Sequence, residues 1–255
     1  MSNAVAPIGK LRVFKDKRGR PEDEMKPWHE CEQGFTMETV ASKCEELKLM
    51  RNRHLEVGRL FLGPKGTVLR FVDMLAIAVL DRSLSLVRAF LNLVADENMI
   101  AAAILCRCQL DNGLRFFATS LTDYPSLLVK RILLGLPIND FKDRTGSRMT
   151  DSHLVKELSK QVVWVEVLYK QASGYVHLSE QHMRNSFGPL DQSENSINKV
   201  KIDGRDGEVW TTELYVEAIH SFCAATQLLL EAVEMWATCD KRKLEGRRPC
   251  KIEEN

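Results

Sequence analysis

The stretch 169–182, YKQASGYVHLSEQH, brings hydroxyl, imidazole and carboxyl groups together and is the most informative part of the chain for chemistry. If it stays helical at about 100° per residue, Ser173 and Glu180 fall within about 60° of His177. These are the residue types of a nucleophile, a base and an orienting acid. An ordinary helix face supplies no oxyanion donor, however, so this set resembles a catalytic triad only superficially. The alternative is that these side chains are hydrogen-bonded where the helix meets its neighbours.

A second face of the same segment carries Tyr175, Ser179 and His182. Because His182 lies about 140° from His177, the two imidazoles point apart. A helical two-histidine metal site needs ligands spaced i, i+4, so this spacing does not predict one. We predict that Tyr175, His177 and Ser179 contribute to a polar binding surface without a metal.

An arginine is expected at the edge of the core in the third predicted helix. Arg107 falls on that helix's apolar stripe, where an unpaired guanidinium is costly. Asp111 lies at i+4, and Arg115 follows at i+4 from Asp111, which predicts an intrahelical ladder of charges. Together with His177 this ladder forms either a structural polar network or the floor of a site for an anionic ligand.

These side chains must be positioned by helices, because apolar residues recur close to the 3.6-residue period along most of the chain. Thr36 is the predicted N-cap of the first helix, and Thr150, Asp151 and Ser152 supply cap chemistry for the fifth. A turn-rich stretch separates the fourth helix from the fifth, and two Asp-Gly pairs predict a small β-hairpin at about 199–212, before the last helix. The predicted fold is an all-α bundle of five or six helices with this hairpin inserted. The helices are expected at 37–57, 68–94, 96–122, 126–134, 150–174 with a possible extension to 185, and 212–237.

The two ends of the chain differ from the middle in composition. Residues 1–35 combine proline and glycine with a cluster of basic side chains, which predicts a flexible basic arm. That arm is either a solvated tail or a contact for an anionic partner. Residues 36–240 form the predicted helical domain, and 241–255 a charged tail.

Composition narrows the class of protein further. With 255 residues, 44% hydrophobic and with 36 basic against 35 acidic side chains, the chain is neither disordered nor a coiled rod. Seven cysteines without a C-x-x-C pair predict reduced thiols, and therefore a cytoplasmic protein without a zinc ribbon. The apolar stretch 72–93 contains four charged side chains, so we expect a core helix and no membrane contact. The sequence contains neither a Walker loop nor a dinucleotide-binding glycine motif, and we expect no cofactor.

The stretch 102–185 resembles uncharacterised bacterial helical families that are similar to HEPN domains. The resemblance rests on the arginine-bearing third helix from Arg107 to Arg115, the turn into Thr150 and Asp151, and the segment around His177. It implies a helical bundle linked to toxin–antitoxin or phage-defence systems, with a protein partner or a second copy of the chain. The chain is thus expected to be an interaction or regulatory protein.

The same resemblance implies an alternative, because HEPN ribonucleases carry an arginine followed after four to six residues by a histidine at a dimer interface. The residue seven before His177 is Lys170, which departs from that pattern, whereas Arg148 and His153 match it literally. Such a pair can cleave RNA without a metal if the imidazole moves the proton of a 2′-hydroxyl and the guanidinium stabilises the phosphorane charge. RNA is therefore a possible partner, through Arg148 and His153 or through a site around Arg107, Asp111 and His177.

Overall fold

A computed structural model describes residues 36–61, 69–177, 206 and 210–239. The predicted arm at 1–35, the tail at 241–255 and Ser179 lie outside these residues. The described part is mostly helical and confirms the all-α class. It contains seven α-helices: α1 Met37–Arg59, α2 Phe71–Ala95, α3 Met99–Phe117, α4 Pro125–Leu133, α5 Asp151–Ser159, α6 Trp164–Val176 and α7 Thr212–Thr238.

The four long helices α1, α2, α3 and α7 form a four-helix bundle. Each packs against two neighbours in the ring α1, α2, α3, α7, and the ring closes between α7 and α1. The shorter α6 lies on α3, α5 fills the angle between α3 and α6, and α4 packs on α2. Helix α6, which carries the tyrosines of the segment 169–182, thus packs against α3, the helix that carries Arg107 and Arg115.

The bundle core consists of two apolar clusters. One cluster contains Leu47 of α1, Val87 of α2 and Leu110 of α3, with the first half of α7. The other contains Val57 and the beginning of α2, with the second half of α7 from Leu229 onward. Because α1, α3 and α7 pass from the first cluster to the second and α2 passes back, α2 runs opposite to the other three.

Between the two clusters lies a layer of five buried polar side chains, which we call the polar layer. All four long helices contribute: His54 and Ser83 stand in sequence between the residues that their helices give to the two clusters, and Thr226 precedes the second cluster on its helix by three residues. Hydrogen bonds join the members across the bundle. The polar layer consists of His54 of α1, Ser83 of α2, Gln109 and Asn112 of α3, and Thr226 of α7.

Side-chain caps begin several helices where the sequence predicts them. Thr36 accepts a hydrogen bond from the Thr39 N–H at 3.3 Å and Thr150 accepts one from the His153 N–H at 3.3 Å. Each cap satisfies an amide that has no partner within its helix. The predicted N-cap Thr36 is therefore confirmed, and of the three candidates at 150–152 Thr150 is the cap.

Several helix boundaries differ from the prediction, and the third helix, expected at 96–122, is shorter at both ends. The single helix expected at 150–174 is broken at 160–163 into α5 and α6, which raises the helix count to seven. The second helix begins at Phe71, three residues later than expected. Most of the predicted hairpin at 199–212 lies outside the described residues; residues 206, 210 and 211 are not in a strand, and Thr212 already belongs to α7. The hairpin therefore stays a prediction.

Helix α7 is long and apolar enough to cross a membrane by length and composition, which no other described helix is. Its buried residues, among them Phe222, Leu229 and Val233, contact the other long helices in both core clusters. A central core helix passes the same test of length and composition, so this feature is weak evidence for a membrane span.

Candidate functional site

The predicted charge ladder of α3 exists, and a residue from α5 completes it. Arg107 donates to Asp111 Oδ1 at 3.3 Å, and Arg115 Nη2 lies 3.6 Å from the same oxygen. Asp151 accepts from both arginines, with Oδ2 3.2 Å from Arg107 and Oδ1 2.6 Å from Arg115. Two guanidiniums and two carboxylates therefore neutralise each other between α3 and the first turn of α5.

Helix α6 covers this network from the other side. The Arg107 guanidinium lies over the ring of Tyr169, 4.1 Å from its centroid, in a cation–π arrangement. Burial by itself lowers the pKa of Arg107, but Asp111 and Tyr169 more than offset it, and the pKa is raised. The Arg107 side chain is 13% exposed, so the network is closed on this side. Its two positive and two negative charges balance, as in a structural ion-pair network, although Arg115 Nη1 is buried without a hydrogen-bond acceptor.

The structure does not bring His177 into this network. His177 is the exposed residue that ends α6, and its backbone N–H donates to the Ser173 carbonyl at 3.4 Å. Within the described part of the chain, its imidazole forms no hydrogen bond with Arg107 or Asp111. Asp151 takes the place predicted for His177. The signal for Asp151 was its position directly after the Thr150 cap, where a carboxylate in the first helical turn is stabilised.

Tyr175 belongs to a separate aromatic group at the end of α6. Its ring centroid lies 5.8 Å from that of Trp210, which in turn lies 6.4 Å from Tyr215 of α7. The Tyr215 hydroxyl donates to Asp206, and the same carboxylate accepts the Met99 N–H at 2.8 and 3.0 Å. Asp206 thus caps α3 from a remote part of the chain, a role that sequence spacing does not reveal.

The pair Arg148 and His153 lies at the junction of a tight loop and α5. Lys142 and Arg148 form an isolated antiparallel bridge, and His153 Nε2 lies 2.8 Å from Asp143 Oδ2 within this loop. Burial raises the pKa of Asp143, but hydrogen bonds from Thr145, His153 and Ser147 outweigh it and lower the pKa. The His153 ring is therefore oriented by an ionised carboxylate, while the Arg148 side chain is exposed.

An open cleft of about 450 Å³ lies beside this loop. Its charged lining consists of three cations and three carboxylates, so it does not present the positive surface expected of a phosphate-binding groove. The charged residues are Arg131, Lys142 and Arg144 with Asp123, Asp140 and Asp143. Arg144 is already bound to Asp123, at 2.7 Å, and to the Ser120 and Thr122 carbonyls.

An exposed apolar strip runs along the first turns of α2. Phe71, Met74 and Ile77 are 36, 42 and 37% exposed, although their helix is central to the bundle. Their spacing of three residues puts them on one side of the helix, opposite the buried Val72 and Ala76. We call this surface the α2 strip. Sequence reasoning missed it, because apolar residues on both sides of α2 give the pattern of a wholly buried helix.

Among the described residues, no group of three or more histidine, cysteine, aspartate or glutamate side chains is arranged to hold a metal ion. Comparisons of the chain with protein-family models, with curated proteins and with solved structures gave no match.

Proposed function

We propose that this protein is a helical interaction protein that binds a protein partner through the α2 strip. The observation that carries the proposal is the exposure of Phe71, Met74 and Ile77 on one side of a helix whose other side is buried in the core. Contiguous apolar surface of this kind marks binding sites in soluble proteins. A cytoplasmic location, a HEPN-like origin and a role in toxin–antitoxin or phage-defence systems belong to the same proposal and rest on the sequence pattern.

The polar networks described above support this choice over a small-molecule site. The Arg107 network is internally neutral and closed by Tyr169. The α2 strip, in contrast, leaves 36–42% of each of three large side chains exposed, and covering that part gains roughly 0.6–1.2 kcal/mol per side chain. Binding a protein surface is the function that uses these side chains.

Photo-crosslinking in cells tests the proposal. A photoreactive phenylalanine analogue is placed at Met74, and in a matched control at Leu49 of α1, which is 68% exposed. We expect a discrete crosslinked band from position 74 that is absent from position 49. Equal crosslinking from both positions, or none from position 74, would contradict the α2 strip as the binding surface.

A second candidate function is metal-independent RNA cleavage by Arg148 and His153. The specific observation in its favour is the bond between His153 Nε2 and the Asp143 carboxylate, which holds the ring as the orienting acid of a catalytic triad does. With Nε2 donating to Asp143, Nδ1 is the nitrogen that accepts the proton of a 2′-hydroxyl. The exposed Arg148 guanidinium would then stabilise the phosphorane charge.

Cleavage of a labelled single-stranded RNA in the presence of EDTA tests this candidate. We expect His153→Ala to lower the rate by about 10²–10⁴-fold, the usual contribution of a general base, and Arg148→Ala to lower it strongly as well. His177→Ala is the matched control, because His177 is exposed and lies outside the Asp143 pair. Absence of cleavage in the wild type, or equal cleavage by wild type and His153→Ala, would eliminate this function.

A further inference from the structure

The α2 strip is flanked by opposite charges at its two ends. Arg70 directly precedes Phe71, and Asp81 follows Ile77 by one turn. Arg70 is the extended N-cap residue at the start of α2, and Asp81 lies three helical turns further along, about 16 Å along the helix axis. The surface is therefore positive at its beginning, apolar in the middle and negative at its end.

This arrangement is complementary to itself when two helices pack in opposite directions. A two-fold axis through the middle of the strip brings Met74 opposite Ile77 of the partner subunit. The same axis brings Asp81 opposite Arg70 of the partner subunit, and it repeats both contacts by symmetry. A parallel pair would instead place like charges at both ends. We propose that the partner of the α2 strip is a second copy of this chain, with the two α2 helices packed antiparallel.

Neither flanking charge is neutralised within the described part of the chain. Asp81 is exposed and forms no hydrogen bond or ion pair there, whereas the adjacent Arg82 donates to Asn112. Arg70 is partly exposed, although its Nη1 is buried without a hydrogen-bond acceptor. In an antiparallel dimer a guanidinium of the second copy pairs with the exposed Asp81, and the exposed part of the Arg70 side chain faces the Asp81 carboxylate of that copy.

The area of the α2 strip determines how tightly the proposed dimer can associate. A few turns of one helix bury less than the roughly 800 Å² per partner of a standard stable interface. We therefore expect a concentration-dependent dimer in the micromolar range. This inference rests on the proposed function, because both use the α2 strip.

Charge reversal tests the register of the dimer, with analytical ultracentrifugation as the measurement. Arg70→Asp and Asp81→Arg each put like charges opposite one another, and we expect each to weaken the dimer at least tenfold. The double variant restores opposite charges and should return to within about threefold of the wild type. Aspartate is a preferred N-cap and residue 81 is exposed, so these changes are compatible with the fold. Glu166→Arg on the exposed side of α6 is the matched control and should leave the dimer unchanged.

The outcomes separate this inference from the proposed function. A wild-type chain that stays monomeric at several hundred micromolar overturns the inference, and crosslinks from position 74 to a different protein would still support an interaction role. A dimer that Met74→Glu disrupts but both charge reversals leave intact overturns the antiparallel register. If Met74→Glu leaves the dissociation constant of the dimer unchanged, the contact lies outside the α2 strip, and the inference is overturned as well.

Discussion

At the scale of single residues, the hydrogen-bond directions in the polar layer follow from one carbonyl. His54 Nδ1 lies 2.8 Å from the Met50 carbonyl, which only accepts, so Nδ1 carries the proton. His54 Nε2 therefore accepts the Ser83 hydroxyl at 2.7 Å, and Ser83 in turn accepts from Gln109 at 2.6 Å. A second proton on His54 would leave the Ser83 hydroxyl without its acceptor. The folded protein thus requires a neutral imidazole at this position.

This requirement predicts how stability depends on pH. Burial lowers the pKa of His54 from its ordinary 6.5, so the unfolded chain binds the proton first as the pH falls. The free energy of unfolding therefore decreases below about pH 6.5, by up to about 1.4 kcal/mol per pH unit for one group. We expect His54→Gln to lose this contribution, measured by urea denaturation between pH 7.5 and 5.5.

Other groups with shifted pKa values also contribute to the pH dependence, but they are the same in the wild type and in His54→Gln. Burial and Lys43 also lower the pKa of His220, and burial raises that of Glu231, but both stay in place in His54→Gln. His177→Gln is the matched control, because this exposed side chain lies outside the polar layer. An unchanged slope in His54→Gln would show that the proton binds elsewhere.

The Arg107 network shows which contacts sequence can predict. The pair of Arg107 and Asp111 follows from i, i+4 spacing within one helix, which depends only on helix geometry. The contacts of Asp151 with Arg107 and Arg115 cross from α5 to α3 and depend on how the intervening turns fold back. Local spacing holds no information on that path, so His177 was assigned the position that Asp151 occupies.

Asp151 should contribute measurably to stability. Asp151→Ala leaves two guanidiniums with Asp111 alone and removes a carboxylate from the first turn of α5. Because the network is only partly buried, we expect a loss of about 1–2 kcal/mol in the free energy of unfolding. Asp140→Ala is the control, since this exposed aspartate has no ion-pair partner among the described residues, and it should change stability by less than about 0.5 kcal/mol. Equal effects of the two substitutions would refute a special role for Asp151.

At the scale of elements, the sequence predicts where helices form better than it predicts where they break. Caps such as Thr36 and Thr150 act locally, and their hydrogen bonds are those expected from sequence. The break at 160–163 contains neither proline nor glycine, the residues that usually mark one. Instead, packing of α5 against both α3 and α6 requires the chain to turn there. This requirement comes from contacts between helices, so the residues at 160–163 themselves do not indicate a break.

The beginning of α2 is fixed by a buried carboxylate, which also sets the position of the α2 strip. Asp73 accepts the Arg70 backbone N–H at 3.2 Å and the Trp236 Nε1 hydrogen of α7 at 3.1 Å. Asp73→Ala removes both bonds and leaves the indole hydrogen buried without this acceptor. We expect a loss of about 2–3 kcal/mol in the free energy of unfolding, measured by chemical denaturation.

A double-mutant cycle isolates the contact between the two helices. Trp236→Phe removes the same hydrogen bond from the other side, so the loss in the double variant should be smaller than the sum of the single losses by at least about 0.5 kcal/mol. Strict additivity would mean that Asp73 acts within α2 alone.

At the scale of the whole molecule, the sequence did not predict which helices are neighbours or in which direction each one runs. Helix α7 runs parallel to both α1 and α3, as the order of its residues in the two core clusters shows. A parallel neighbour requires a long connection, which here includes α4, α5 and α6. Periodicity identifies the buried side of a helix but not its neighbour or direction. The polar layer supplies this information in the folded state, because its side chains meet only when all four helices are in register.

If the polar layer acts as a unit, replacing one of its members should lower the free energy of unfolding more than replacing all five. Gln109→Leu alone leaves the Asn112 amide N–H buried without its acceptor, whereas the Ser83 hydroxyl keeps its bond to His54 and the Thr226 hydroxyl its bond to the Phe222 carbonyl. We expect this to cost about 1–3 kcal/mol of unfolding free energy, since an unsatisfied buried group loses its desolvation energy. Replacing the whole layer with apolar residues (His54→Leu, Ser83→Ala, Gln109→Leu, Asn112→Leu, Thr226→Val) leaves no unpaired group within the layer and removes only the bond from the exposed Arg82 to Asn112, so it should recover most of that loss. Denaturation of both variants measures the difference. A fully apolar variant less stable than Gln109→Leu would mean that shape and not hydrogen bonding decides the packing of this layer, and that the four helices are aligned by their apolar clusters.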